Sequence, residues 1–213
     1  MKVTRLAACA LLLASLAGVL TGCRTAPPRP VIGPGADAPW PEQLAALEQL
    51  DRYALNGRVA VAANGQGFSA SLRYAQQPRR TEFSLDGPLG IGGLRVEVEG
   101  ERVAIVTSRG EKLDGPEARA ELERRLGFAL PLEDLRWWLL GIPAPGEASV
   151  NAEQSGEIRE FTQRDWRVSV NSRIAGLGFS LPQRLTAQRI GGEGEGQSEG
   201  EGARLKLLVE RWE

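Results

Sequence analysis

The chain has 213 residues, with 26 basic and 27 acidic side chains, no histidine, and only Cys9 and Cys23 as cysteines. These numbers exclude Ser-His-Asp and Cys-His catalysis, histidine-bearing metal cages and a histidine pH switch. A net charge of −1 argues against a broad nucleic-acid-binding face, and 42% hydrophobic residues in this length suit one domain with a real core.

Residues 1–22 read as a secretion signal. Lys2 and Arg5 form a positive start, and Leu6 to Leu20 is apolar and uncharged but too short to span a bilayer. The block Leu20-Thr21-Gly22-Cys23 resembles a bacterial lipobox. That resemblance implies lipidation of Cys23 after cleavage before it, leaving a mature chain with no free thiol. Arg24 at the next position permits the outer membrane. Residues 23–41 then form a tether, with Pro27, Pro28, Pro30, Pro34 and Pro39 before Trp40 and Pro41 after it. Such a segment has little to bury. The folded domain is expected over 42–213.

Pro41 to about Tyr53 reads as a helix, with Leu44, Leu47 and Leu50 on one face and Gln43 off that stripe. Alternating strands follow from Leu55, turn at Asn64-Gly65, and return through Phe68, Leu72 and Tyr74. Phe83 and Leu85 mark a third strand, Leu94, Val96 and Val98 a fourth, and Val103 to Thr107 a fifth. Asp114 with Glu117 reads as a capping box for a short helix carrying Leu122 and Leu126. A further helix is expected from near Pro131 through Leu135, Trp138 and Leu139, stopping at Gly141-Ile142-Pro143. Strands resume at Glu157–Phe161, Asp165–Val170, Arg184–Ile190 and Arg204–Trp212. Residues 191–202 hold six glycines and four glutamates and read as an enlarged loop. The pattern predicts a mainly β fold of about 9–11 antiparallel strands in one curved sheet or barrel, with inserted helices.

No nucleophile stands beside a recognisable base, so a non-enzyme without metal or cofactor is expected. Glu97, Glu99 and Glu101 suit a solvated strand face. Two features stand out. The loop Asp86-Gly87-Pro88-Leu89-Gly90-Ile91-Gly92-Gly93 carries Leu89 and Ile91, which either tuck into the core or touch a membrane, an acyl chain or a partner. Phe83, Trp137, Trp138 and Trp166 suit either a packed core or the lining of an apolar cavity.

Over about residues 40–212 the chain resembles the LolB family of outer-membrane lipoprotein receptors. The likeness rests on Leu55-Asn56-Gly57-Arg58, Gly87-Pro88-Leu89-Gly90, Leu130-Pro131-Leu132, Leu135-Arg136-Trp137-Trp138-Leu139-Leu140-Gly141-Ile142-Pro143, and Leu205-Lys206-Leu207 with Trp212. It implies an incomplete antiparallel barrel whose concave apolar cavity is covered by helices. It also implies a monomer anchored on the periplasmic face of the outer membrane. That monomer would take lipoprotein cargo from the periplasmic carrier LolA and insert its acyl chains among outer-membrane phospholipids. Leu89 falls on the family's membrane-insertion leucine, with Pro88, Gly90 and Ile91 shaping the same loop. An alternative is a lipid-binding or structural lipoprotein of this fold without cargo transfer.

Overall fold

The computed structural model describes residues 32–87, 93–190 and 202–213. Its elements run α1 (Trp40–Gln49), β1 (Tyr53–Ala63), β2 (Gln66–Gln77), β3 (Arg80–Asp86), β4 (Leu94–Glu99), β5 (Arg102–Thr107), β6 (Lys112–Asp114), α2 (Gly115–Leu126), α3 (Leu135–Trp138), β7 (Ser149–Ala152), β8 (Ile158–Gln163), β9 (Trp166–Gly176), β10 (Phe179–Arg189) and β11 (Arg204–Trp212).

The strands form one eleven-stranded sheet in the order β6-β5-β4-β3-β2-β1-β11-β10-β9-β8-β7. Every neighbouring pair is antiparallel. The edge strands β6 and β7 have three and four residues and do not pair with each other, so the sheet is unclosed, as expected. The first and last strands meet in its middle. Sequence alternation becomes burial alternation: Tyr53, Leu55, Val59 and Val61 turn inward from β1 while Arg58 faces water. At Asn64-Gly65 both φ angles are positive, at 53° and 72°, as a tight hairpin of this hand requires.

One irregularity interrupts the central pairing. The register between β1 and β11 shifts at Asn56/Gly57, and a Cβ at Gly57 would overlap the carbonyl oxygen of Leu208. Only a residue without a side chain lets β11 come that close.

Several local expectations are corrected. α1 ends at Gln49, with Leu50 extended, instead of running to Tyr53. Tyr53 instead opens β1, where its ring stacks on Tyr74 at 5.7 Å and lies 5.9 Å from Trp212. Burying the ring between strands outweighs continuation of the apolar helical stripe. Gln43 is buried despite lying off that stripe. Its amide donates to the carbonyls of Ala36 (3.1 Å) and Ala38 (2.7 Å) and accepts from the Ser180 N–H (2.7 Å). The helix expected from Pro131 contracts to α3, preceded by turns and followed by Gly141 at φ 76°. Asp114 caps α2 through its neighbour Gly115 (2.9 Å), rather than through the Glu117 position of a capping box. β6 and β7 escape the sequence pattern because short edge strands carry too few alternations, and β7 is exposed throughout.

The core lies on the inner side of the bent sheet. Ala118, Leu122 and Leu126 of α2, then Leu132, Trp138 and Leu140, share one buried cluster with the inward residues of β1, β2, β10 and β11. The segment from α2 to Ile142 therefore covers the concave face. Deep burial of such side chains contributes roughly 1.5–3 kcal/mol each.

Candidate functional site

Between sheet and cover lies an apolar cavity of about 100 Å³. Its floor comes from β1 (Val59, Val61), β2 (Leu72, Tyr74), β3 (Phe83, Leu85), β10 (Leu185, Ala187) and β11 (Leu205, Leu207). Its roof comes from Leu126, Leu130, Leu135, Trp138 and Leu139. The period of two along each strand aims these residues at one space, and the bend of the sheet brings them together.

Among the described residues the wall carries no ionisable group except the Tyr74 phenol. Burial pushes that phenol up to about 12, and burial likewise raises Tyr53 next to it. Both stay neutral at ordinary pH. The Tyr74 hydroxyl donates to Gln76 Oε1 (2.8 Å), which also accepts from Thr81 (2.7 Å), so the polar tip is satisfied away from the apolar space. Such a wall suits a hydrocarbon.

The roof is tied down by a few polar contacts. Gln163 on β8 accepts from the Trp138 indole and from the Ala144 N–H, both at 2.9 Å, and donates to the Ala144 carbonyl at 2.9 Å. At the other end the Tyr53 hydroxyl donates to the Arg136 carbonyl, and the Arg136 guanidinium donates to the Leu50 carbonyl at 3.3 Å. Asp134 sits between them, 3% exposed, ion-paired to Arg164 at 2.6 Å without hydrogen-bond geometry. Burial dominates there and raises its pKa above the usual value.

Of the aromatic candidates, Phe83 and Trp138 stand in the cavity wall and Trp137 and Trp166 do not. Trp166 is buried behind Trp138, their rings 6.3 Å apart, with Phe128 at 5.3 Å on its other side. Trp137 is half-buried, with the Arg136 guanidinium 4.4 Å from its ring centre. Consecutive helical residues point about 100° apart, so Trp138 turns inward and Trp137 away. Cys23, Pro88, Leu89, Gly90 and Ile91 lie outside the described residues, as does nearly all of 191–202. β3 ends at Asp86 and β4 begins at Leu94, and the Gly93 carbonyl just before it accepts from the Ser108 N–H at 2.8 Å.

Sequence reasoning missed Gln163, which carries no motif signal. In sequence, Tyr74 and Leu72 read as an apolar strand face but not as a cavity wall, because alternation gives a face without giving the curvature that empties the space above it.

The family model described as outer membrane lipoprotein LolB matches residues 51–212. A curated outer-membrane lipoprotein LolB from Stutzerimonas stutzeri is 27% identical over 205 residues, covering 95% of this chain and 94% of the relative. Counterparts of the same name are 32% identical in Ectopseudomonas mendocina (82% of this chain, 87% of the relative) and 31% identical in Pseudomonas savastanoi (80% and 84%). A solved LolA-superfamily protein from Nitrosomonas europaea aligns over 76% of this chain and 86% of its own, at 12% identity and a TM-score of 0.42. With the family model matching most of its length, the chain belongs to the LolB family of outer-membrane lipoproteins.

Proposed function

We propose that this chain accepts the acyl chains of lipoproteins from the periplasmic carrier LolA and passes them into the inner leaflet of the outer membrane. The anchor is lipidated Cys23. The observation that carries the proposal is the apolar, charge-free cavity between sheet and cover. Each methylene exposed to water costs roughly 0.8 kcal/mol, so acyl cargo crosses the periplasm only from one sheltered site to another. Membership of the LolB family, with its role in lipoprotein localisation, supports the same reading.

The cavity of about 100 Å³ is smaller than the roughly 150 Å³ that admits a benzene. Acyl cargo is larger than this space, so loading requires the roof to move. The roof is suited to this. Beyond Leu126, the last residue of α2, its helical part is four residues long, and among the described residues the side chains of Gln163, Tyr53 and Arg136 tie it to the rest of the fold. Direction needs no nucleotide if affinity rises from carrier to receptor to bilayer, and anchoring raises the effective concentration at that bilayer. Leu89, on its loop, serves the last step by entering the bilayer surface.

The test is a transfer assay with purified carrier loaded with a lipoprotein and with this protein reconstituted in vesicles. The expected result is cargo leaving the carrier and appearing in the vesicle fraction. No transfer from the cognate carrier overturns the proposal.

A further inference from the structure

We propose that an acyl chain enters the cavity by lifting residues 127–134, a strap moored at its two ends by Asn64 and Arg164. The inference rests on the acyl-receptor reading above and names the part of the roof that moves.

The strap joins α2 to α3. It begins at Gly127, left-handed at φ 83°, and ends at Asp134, the residue before α3. Its residues alternate between two sides. Phe128 and Leu132 are buried in the core cluster, and between them Leu130 is half-buried in the cavity wall. Ala129 and Glu133 face water. Leu205, on the opposite wall of the cavity, is also half-buried, so the apolar space comes near solvent beside the strap.

Both moorings stand on two-residue hairpin turns. Asn64 opens the β1–β2 turn, and its amide donates to the Gly127 carbonyl at 3.2 Å. Arg164 opens the β8–β9 turn, and its guanidinium meets the carboxylates of Asp134 at 2.6 Å and Glu133 at 3.7 Å. The φ angles of Asn64 and Arg164 are positive, 53° and 48°, as tight turns of this hand require. β1 and β8 run the same way through the antiparallel sheet, so the two turns stand at one end of it.

Between these points the strap is untied. Among the described residues no group of 128–132 hydrogen-bonds to the sheet, and the Pro131 carbonyl accepts only from Asp134 within the strap, at 3.1 Å. α3 is held differently, by Gln163 at Trp138 and by Tyr53 at the Arg136 carbonyl. A roof that must move therefore parts at the strap before it parts at α3. Asn64 and Arg164 are exposed, and such surface contacts hold weakly. The Asp134 carboxylate, buried while the strap is down, regains water when it lifts. What chiefly keeps the strap down is the burial of Phe128, Leu130 and Leu132. An acyl chain sliding beneath them replaces the apolar contacts they lose, whereas over an empty cavity nothing does.

The experiment bridges the strap to the rim. On the receptor reading Cys23 carries lipid, so Glu133→Cys with Arg164→Cys supplies the two thiols, one on each side of the second mooring. The lipidated protein is reconstituted in vesicles, and loss of a lipoprotein from purified, loaded carrier is followed. It is measured before bridging, after bridging with a short bismaleimide that contains a disulfide, and after reductive cleavage of the linker. Unbridged, the variant lacks the mooring and is expected to take cargo about threefold to fivefold faster than the wild type. Bridged, it is expected to take cargo slower by about tenfold or more, while empty carrier still binds the vesicles. Cleavage restores the unbridged rate. Arg58→Cys with Glu210→Cys replaces an ion pair of 2.9 Å between β1 and β11 on the outer face, and the same bridge there leaves uptake unchanged.

Uptake undiminished by the strap bridge overturns the gate. So does loss of uptake in both bridged variants, and so does loss of carrier binding, which places the block at docking. An unbridged rate no faster than the wild type's removes Arg164 as a mooring. A wild-type protein that takes no cargo overturns the receptor reading, and the gate with it.

Discussion

Gln163 on β8 accepts the indole N–H of Trp138 at 2.9 Å, joining the sheet to the roof of the cavity. The same amide also satisfies both backbone groups of Ala144, so three buried polar atoms depend on one side chain. Replacing it with leucine leaves them unpaired at roughly 1–3 kcal/mol each. Gln163→Leu is expected to lower stability by about 3 kcal/mol and to loosen the roof. Urea unfolding with an unchanged m-value, together with dye binding to the opened cavity, checks this.

Leu205 lines the cavity but is only half-buried. Leu205→Trp adds bulk towards the empty space with a route of escape to solvent. A fluorescent fatty acid is expected to bind about tenfold more weakly, with stability changed by less than about 1.5 kcal/mol. Unchanged affinity in a direct titration removes the cavity from the proposed function.

Leu89→Glu replaces an apolar side chain by a charge. Cargo is expected to leave the carrier at the wild-type rate and then to accumulate on the receptor instead of in the vesicles. Flotation of the vesicles after transfer separates the two pools, and normal insertion refutes the role of Leu89.

Gly57→Ala places a methyl against the Leu208 carbonyl in the pairing that joins the two halves of the sheet. Backbone must shift, and a loss of about 2–3 kcal/mol is expected, more than the strand-propensity gain of alanine returns. A thermal melt of the variant decides it.

Asp134 gives a pH dependence of defined sign. Its folded pKa is raised by burial above the ordinary 3.8. Between that value and the folded one the native chain holds a proton that the unfolded chain has lost. Its contribution to stability therefore falls as pH rises through the window. Asp134→Asn is expected to remove this part of the slope and to stabilise the protein at neutral pH relative to acid. Urea midpoints from pH 4 to 7 for both proteins measure the difference.

Much of the fold was legible because strand alternation is a strong local signal. Val59, Val61, Leu72 and Phe83 each announce an inward face, and Asn64-Gly65 announces its turn. What alternation does not carry is pairing at a distance. Nothing in the residues of β1 names β11 as its partner, although Gly57 marks where a backbone comes close. The site was half legible for the same reason. Phe83 and Trp138 reach the cavity, while Trp166 was an equal candidate by type and hydropathy, and only packing places it behind Trp138. Gln163 and Gln43 look like surface residues until tertiary contacts bury them.

The meeting of β1 with β11 bears on how the polypeptide is made. Sheet halves β1–β6 and β7–β10 share one hydrogen-bonded seam, and it is supplied by the final strand. Until Trp212 has been synthesised, β1 has no neighbour on one side and β10 has none on its β11 side. Closing so long a loop is slow, because its entropy is lost before the contacts reward it. The complete sheet therefore assembles only once the last strand is present. Under the proposed reading of residues 1–22 as a secretion signal, that order keeps the sheet open while the chain is threaded across a membrane as an extended polymer.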